Sequence, residues 1–124
     1  MTTFALLLTE SPLGGQAFQS CLRFARSAIE TGHSIDHVFL YRDAVLAASP
    51  DIDLPSDEPN VAGLLADFCQ AQQIPLLFCS TAAEKRGLSL VTFTTAQSKP
   101  QSYQLAGLAE HAMRLDGCDK VIQF

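Results

Sequence analysis

Short, dense apolar runs alternate along this chain with longer stretches in which apolar residues recur at helical spacing, and this alternation restricts the fold more than any other feature. Residues 4–9 form a continuous apolar run, as a central parallel strand covered on both faces requires. A turn, Ser11-Pro12-Leu13-Gly14-Gly15, follows, and residues 16–31 read as a helix with Phe18, Leu22, Ala25 and Ile29 as its inner stripe. Gly32 is placed to end that helix as a left-handed cap. Residues 34–41 read as a second strand, with Val38-Phe39-Leu40-Tyr41 as its apolar end, and residues 42–48 as a short helical turn. The Pro- and Asp-rich stretch 49–59 predicts a surface loop. Asn60 is positioned to cap a helix over 61–73, with Leu64, Leu65, Phe68 and Cys69 facing inward.

Residues 74–79 predict a third strand with a helix starting directly after it. Leu90-Val91-Thr92-Phe93 has strand character, residues 102–115 read as a helix, and residues 118–124 as a final strand. The expectation is an α/β fold. Residues 1–124 form a single domain: an open, mainly parallel sheet of about five strands with helices on both faces and right-handed crossovers. Sites in such sheets lie at the carboxyl ends of the strands, which singles out residues 10–15, 41–43 and 79–81.

Composition narrows the functions. The 124 residues are 48% apolar, enough for a packed core, and only 17% charged. So lean a charged surface hints that part of it is covered by other subunits. Eight basic against thirteen acidic residues give a net charge of -5, which opposes direct nucleic-acid contact and docking on an anionic membrane. No apolar run approaches the roughly 20 residues that span a bilayer. The first ten residues lack the basic segment of a signal peptide, so a cytoplasmic location with reduced thiols is expected.

Four cysteines (Cys21, Cys69, Cys79 and Cys118) lie far apart without a CxxC, a spacing that signals no metal site. Cys79 alone falls at the carboxyl end of a strand, with Ser80-Thr81-Ala82-Ala83-Glu84-Lys85-Arg86 after it. Thr81 and Glu84 have capping-box spacing. A sulfur at a helix start faces unpaired N–H groups and the positive dipole end, which favour thiolate, the form that attacks a persulfide or disulfide sulfur. The plainer reading is a small buried filler, common for free cysteine. Cys21 and Cys69 lie on apolar helix faces and read as core, and Cys118 begins the last strand at the sheet's amino end and reads as filler.

Gly14-Gly15 lacks a complete phosphate-binding pattern and reads as a tight turn. His33, His37 and His111 are scattered, with His111 on a polar helix face; they read as solvated or hydrogen-bonded groups rather than ligands. Lys85 and Arg86 close the short helix, where cations complement its dipole; docking a partner is the alternative.

Three blocks stand out, in order. The first runs from Ala5-Leu6-Leu7-Leu8-Thr9 through Gly15-Gln16-Ala17-Phe18-Gln19-Ser20 and Gly32-His33 to Val38-Phe39-Leu40-Tyr41-Arg42-Asp43-Ala44-Val45. The second is Cys79-Ser80-Thr81-Ala82-Ala83-Glu84-Lys85-Arg86-Gly87, and the third is Gly107-Leu108-Ala109-Glu110 with Cys118-Asp119-Lys120-Val121-Ile122-Gln123-Phe124. Taken together, these blocks resemble the DsrE-like sulfurtransferase family. Within that family the chain is similar to the subunit type that relays sulfur for tRNA 2-thiouridine synthesis. The segment 87–101 is shorter than the family pattern, and Gly107-Leu108-Ala109 stands where Gly-Leu-Gly is typical.

The resemblance implies that Cys79 is the sulfur-carrying, catalytic cysteine, without metal or organic cofactor. It implies a heterohexamer with related DsrE-family subunits, fed by an upstream sulfur-carrier protein and discharged to a downstream one. Similar complexes serve dissimilatory sulfur oxidation. Two other functions stand beside this one: a non-catalytic assembly subunit, and a small nucleotide- or flavin-binding domain resting on Gly14-Gly15.

Overall fold

The structure, a computed structural model, describes residues 1–88 and 103–124. Its elements in chain order are β1 (Thr3–Leu8), α1 (Ala17–Glu30), β2 (Ser34–Leu40), a 3₁₀ segment (Arg42–Ala48), α2 (Val61–Ala71), β3 (Leu76–Cys79), α3 (Ser80–Lys85), β4 (Tyr103–Ala106), α4 (Leu108–Arg114), a second 3₁₀ turn (Leu115–Gly117) and β5 (Lys120–Gln123). The five strands form one sheet in the order β4-β3-β2-β1-β5, and every pairing is parallel.

The apolar runs become the central strands, as burial on both faces demands. Leu6, Leu8, Val38, Phe39, Leu40, Leu77 and Phe78 are fully buried. Phe4 and Leu7 lie an odd number of residues apart on β1 and so point to opposite faces. On the Phe4 face lies α1, with the Phe24 ring edge-on to Phe4 at 5.1 Å, and α2 packs beside α1. On the other face, Phe39 is the register partner of Leu7, and His111 of α4 stacks on its ring at 4.5 Å. Helices therefore cover both faces.

Several local expectations hold. The inner stripe of α1 is buried at Phe18, Leu22 and Ala25, and Ile29 packs against the core edge. Gly32 has φ +89° and closes α1: its own N–H bonds the Ile29 carbonyl, and His33 N–H bonds the Ala28 carbonyl at 2.9 Å. Asn60 caps α2 by accepting from Gly63 N–H at 3.0 Å.

Others are corrected. The helix expected over 102–115 is a strand and a helix, because Tyr103 to Ala106 pair with Leu76 to Cys79 in parallel register. Sheet pairing outweighs the local helical preference, and Gly107, extended at φ −106° and ψ 167°, divides β4 from α4. Leu64 is 48% exposed rather than inward; Leu65 and Cys69 hold the buried phase of α2. The capping box of Thr81 and Glu84 does not form, because the helix begins at Ser80 and leaves Thr81 inside its first turn. Strand character at 90–93 lies outside the described residues.

Candidate functional site at the carboxyl end of the sheet

Cys79 is the last residue of β3 and the N-cap of α3, still in extended conformation at φ −70° and ψ 120°. It is 4% exposed, yet it forms part of the wall of a cleft of about 400 Å³. Tyr41 and Arg42 reach this cleft from the end of β2, Thr81, Lys85 and Arg86 from α3, and Leu108 from α4. Two of the three sequence-derived site loops, 41–43 and 79–81, thus meet in one place, where adjacent parallel strands β2 and β3 end together.

The turn after β2 shapes the rim. Tyr41 N–H still bonds the Leu8 carbonyl, while Ala44 N–H already bonds the Tyr41 carbonyl, so the chain must reverse within one residue. Arg42 makes that reversal in the left-handed region at φ +52°. For a residue with a Cβ this costs about 1 kcal/mol or more. Its guanidinium lies 6.0 Å from the Tyr41 ring centroid.

Charge at the rim is one-sided. Arg86 donates from Nε to Asp43 at 2.8 Å and from Nη1 to the Ala82 carbonyl at 3.1 Å. Arg42 and Lys85 have no carboxylate partner among the described residues. A chain of net charge -5 therefore turns a cationic cleft toward the end of β3. That cleft suits an anion such as a thiolate or perthiolate.

The other cysteines have different surroundings. Cys21 and Cys69 are buried in the core, as expected. Desolvation pushes the Cys69 thiol up to about 12 and the Cys21 thiol higher still, with Cys69 beside it adding to the effect. Cys118 is half-buried; its thiol donates to the Arg114 carbonyl at 3.4 Å. Burial raises its pKa first, then the charges of Asp36 and Asp119, with Arg114 opposing.

Gly14-Gly15 makes a tight turn, with Gly14 N–H bonded to the Ser11 carbonyl at 3.3 Å. Gly15 has φ +71°, and a Cβ there would lie 2.6 Å from Oε1 of Glu10. The positive φ favours glycine there, and a carboxylate so close disfavours phosphate. This turn lines a separate cleft of about 500 Å³ with Phe18 and residues of the 49–59 loop.

The histidines hold what sequence reasoning missed. His37 is fully buried, and its Nε2 lies 2.8 Å from Nδ1 of His111, itself only 7% exposed. His111 thus faces the sheet and not a polar surface. Its pKa is lowered by burial and then by the charge of His37. The available signal was the alternation of β2, which turns His37 toward the same covered face as Phe39.

Among the described residues, no helix is long and apolar enough to cross a membrane. Comparison with known proteins adds the following. The DsrE/DsrF-like family matches residues 3–124. The chain is 32% identical to sulfurtransferase TusD of Sodalis glossinidius, covering 98% of this chain and 97% of that one. It is 32% identical to TusD of Pectobacterium carotovorum, with both chains covered in full. A putative sulfurtransferase DsrE of Allochromatium vinosum is 33% identical over 68% of this chain. The crystal structure of the ychN protein from E. coli superposes with a TM-score of 0.80 at 25% identity, covering all of both chains. A parallel five-stranded sheet ending in a cysteine-bearing cationic cleft, matched over nearly its whole length, makes this chain a member of the DsrE/DsrF-like family, related to the TusD sulfurtransferases.

Proposed function

We propose that the chain is a sulfurtransferase subunit whose Cys79 carries sulfane sulfur as a persulfide, with residues 1–124 acting as one sulfur-relay domain. The observation that carries this is the position of Cys79 on a cleft lined by Arg42, Lys85 and Arg86. The Cys79 thiolate attacks the outer sulfur of a donor persulfide; the donor's S–S bond breaks and its thiolate leaves. An acceptor cysteine thiolate then attacks the outer sulfur of Cys79–S–SH and restores the Cys79 thiolate. One neutral sulfur moves at each step, with no net oxidation and no cofactor. The persulfide places its outer atom about 2 Å beyond Sγ, which carries it from a nearly buried thiol toward the cleft. There the cations of Arg42 and Lys85 stabilise the perthiolate.

The relation to TusD favours sulfur relay for tRNA 2-thiouridine synthesis in the cytoplasm, in a heterohexamer with related subunits and between an upstream and a downstream carrier protein. The relation to DsrE keeps a dissimilatory sulfur-oxidation carrier as the alternative. Exposed Leu108 and Met113 on α4 and Val121 on the edge strand β5 fit a surface that other subunits cover. The 4% exposure of Cys79 favours a second reading, an assembly subunit without chemistry. Cys79→Ser separates the two: a folded, assembled variant that passes no sulfur supports the carrier, and undiminished transfer supports the scaffold.

A further inference from the structure

At the opposite, amino end of the sheet, residues distant in sequence meet in an arrangement that the sulfur cleft does not use. The register of β1 with β2 shifts by one between Phe4 and Ala5: Phe4 faces Ile35 while Ala5 faces His37, so Asp36 is an inserted residue. Such a bulge aims two successive side chains to one side, and Oδ2 of Asp36 lies 2.7 Å from Nδ1 of His37. The chain then returns through α4 to Cys118, just before β5. One donor atom each from Asp36, His37 and Cys118 lies within 4.8 Å of the others.

We propose that Asp36, His37 and Cys118 bind one zinc ion. Carboxylate oxygen, imidazole nitrogen and thiolate sulfur are all zinc donors, and tetrahedral bond lengths of about 2.0 to 2.3 Å place them roughly 3.3 to 3.7 Å apart. The pair Asp36–His37 must open slightly and Cys118 must close, movements of the order of one ångström. His37 ligates through Nδ1 because its Nε2 is engaged by His111 at 2.8 Å. A ligating imidazole held from behind in this way has its orientation fixed by the second contact. His37 is fully buried, while the Asp36 side chain is 31% exposed and Cys118 is half-buried, so solvent has access on one side. Arg114 approaches Asp36 at 3.5 Å and also Glu110 at 3.4 Å; as zinc takes the Asp36 oxygen, Arg114 keeps the Glu110 pair. Binding releases the Cys118 thiol proton; His37 then carries its proton on Nε2 and donates it to Nδ1 of His111, whose own proton moves to its Nε2. Three protein ligands leave a fourth position for water.

The test is titration of purified, metal-free full-length protein with Co²⁺ as a spectroscopic stand-in, then competition by Zn²⁺. The expected result is one ion per chain with tetrahedral visible bands and a sulfur-to-cobalt charge-transfer band in the near ultraviolet. Cys118→Ser abolishes the charge-transfer band, Asp36→Asn weakens binding at least tenfold, and Cys79→Ser changes neither. His111→Ala weakens binding roughly 10- to 100-fold. Circular dichroism of each variant confirms the fold; Cys118→Ser and Asp36→Asn nearly conserve side-chain size. Absence of stoichiometric binding, a charge-transfer band that survives in Cys118→Ser, or a band lost in Cys79→Ser overturns the proposal.

Discussion

Cys79 and Cys69 are both almost completely buried, at 4% and 1% exposure, yet their chemical prospects differ because of what stands at the few open ångströms. Cys69 sits on α2 among core side chains, where desolvation holds its thiol protonated up to about 12. Cys79 ends a strand against a cleft with three cations on its walls. Under the proposed function, burial alone does not rank the thiols of this molecule. The strand-end position does, because parallel strands deliver their last residues, and the turns after them, to a common edge.

The largest effect that tests this contrast is Cys79→Ser, which removes the nucleophile with little change in volume. Sulfur transfer falls to background in a persulfide-transfer assay, while thermal unfolding and subunit assembly stay as in the parent. Next is Arg42→Gly. Glycine adopts φ +52° without strain, so the unfolding midpoint holds or rises by the equivalent of about 1 kcal/mol, while transfer falls roughly tenfold with loss of the charge facing the perthiolate. Loss of both stability and activity would show that Arg42 is structural. Lys85→Gln, which removes the more compact of the two cations without a carboxylate partner among the described residues, lowers transfer by a smaller factor, about two- to fivefold, and the loss shrinks as salt is added. The smallest effect on transfer is at Cys69→Ala: sulfur passed per folded molecule is unchanged, and the urea midpoint falls by the equivalent of about 1 kcal/mol from the small cavity. A transfer defect there would break the contrast.

The parts of this fold that sequence reasoning reaches are those where one local pattern decides. The runs at 4–9 and 34–41 could only be covered strands, and Gly32 and Asn60 close and open helices through their own backbone and side-chain chemistry. The carboxyl-end rule singled out three loops, of which 41–43 and 79–81 meet at one cleft while 10–15 lines another. Two failures were local, the inward phase given to Leu64 and the capping box of Thr81 and Glu84, each off by one residue; the larger ones depended on partners distant in the chain. Tyr103 to Ala106 carry no strong strand signal and become a strand because β3 offers an unpaired edge. Asp36, His37, His111 and Cys118 looked scattered because a one-residue bulge and the long return through α4 bring them together. A motif search by spacing has no view of such contacts.

Site mapping by mass spectrometry addresses the role of Cys79 most directly. The intact assembly is incubated with a persulfide donor, remaining thiols and persulfides are capped by alkylation, and the digested peptides are weighed. The added mass of one sulfur atom is expected on the peptide bearing Cys79, with Cys21 and Cys69 unmodified. Sulfur found on any other cysteine, with Cys79 bare, contradicts the account.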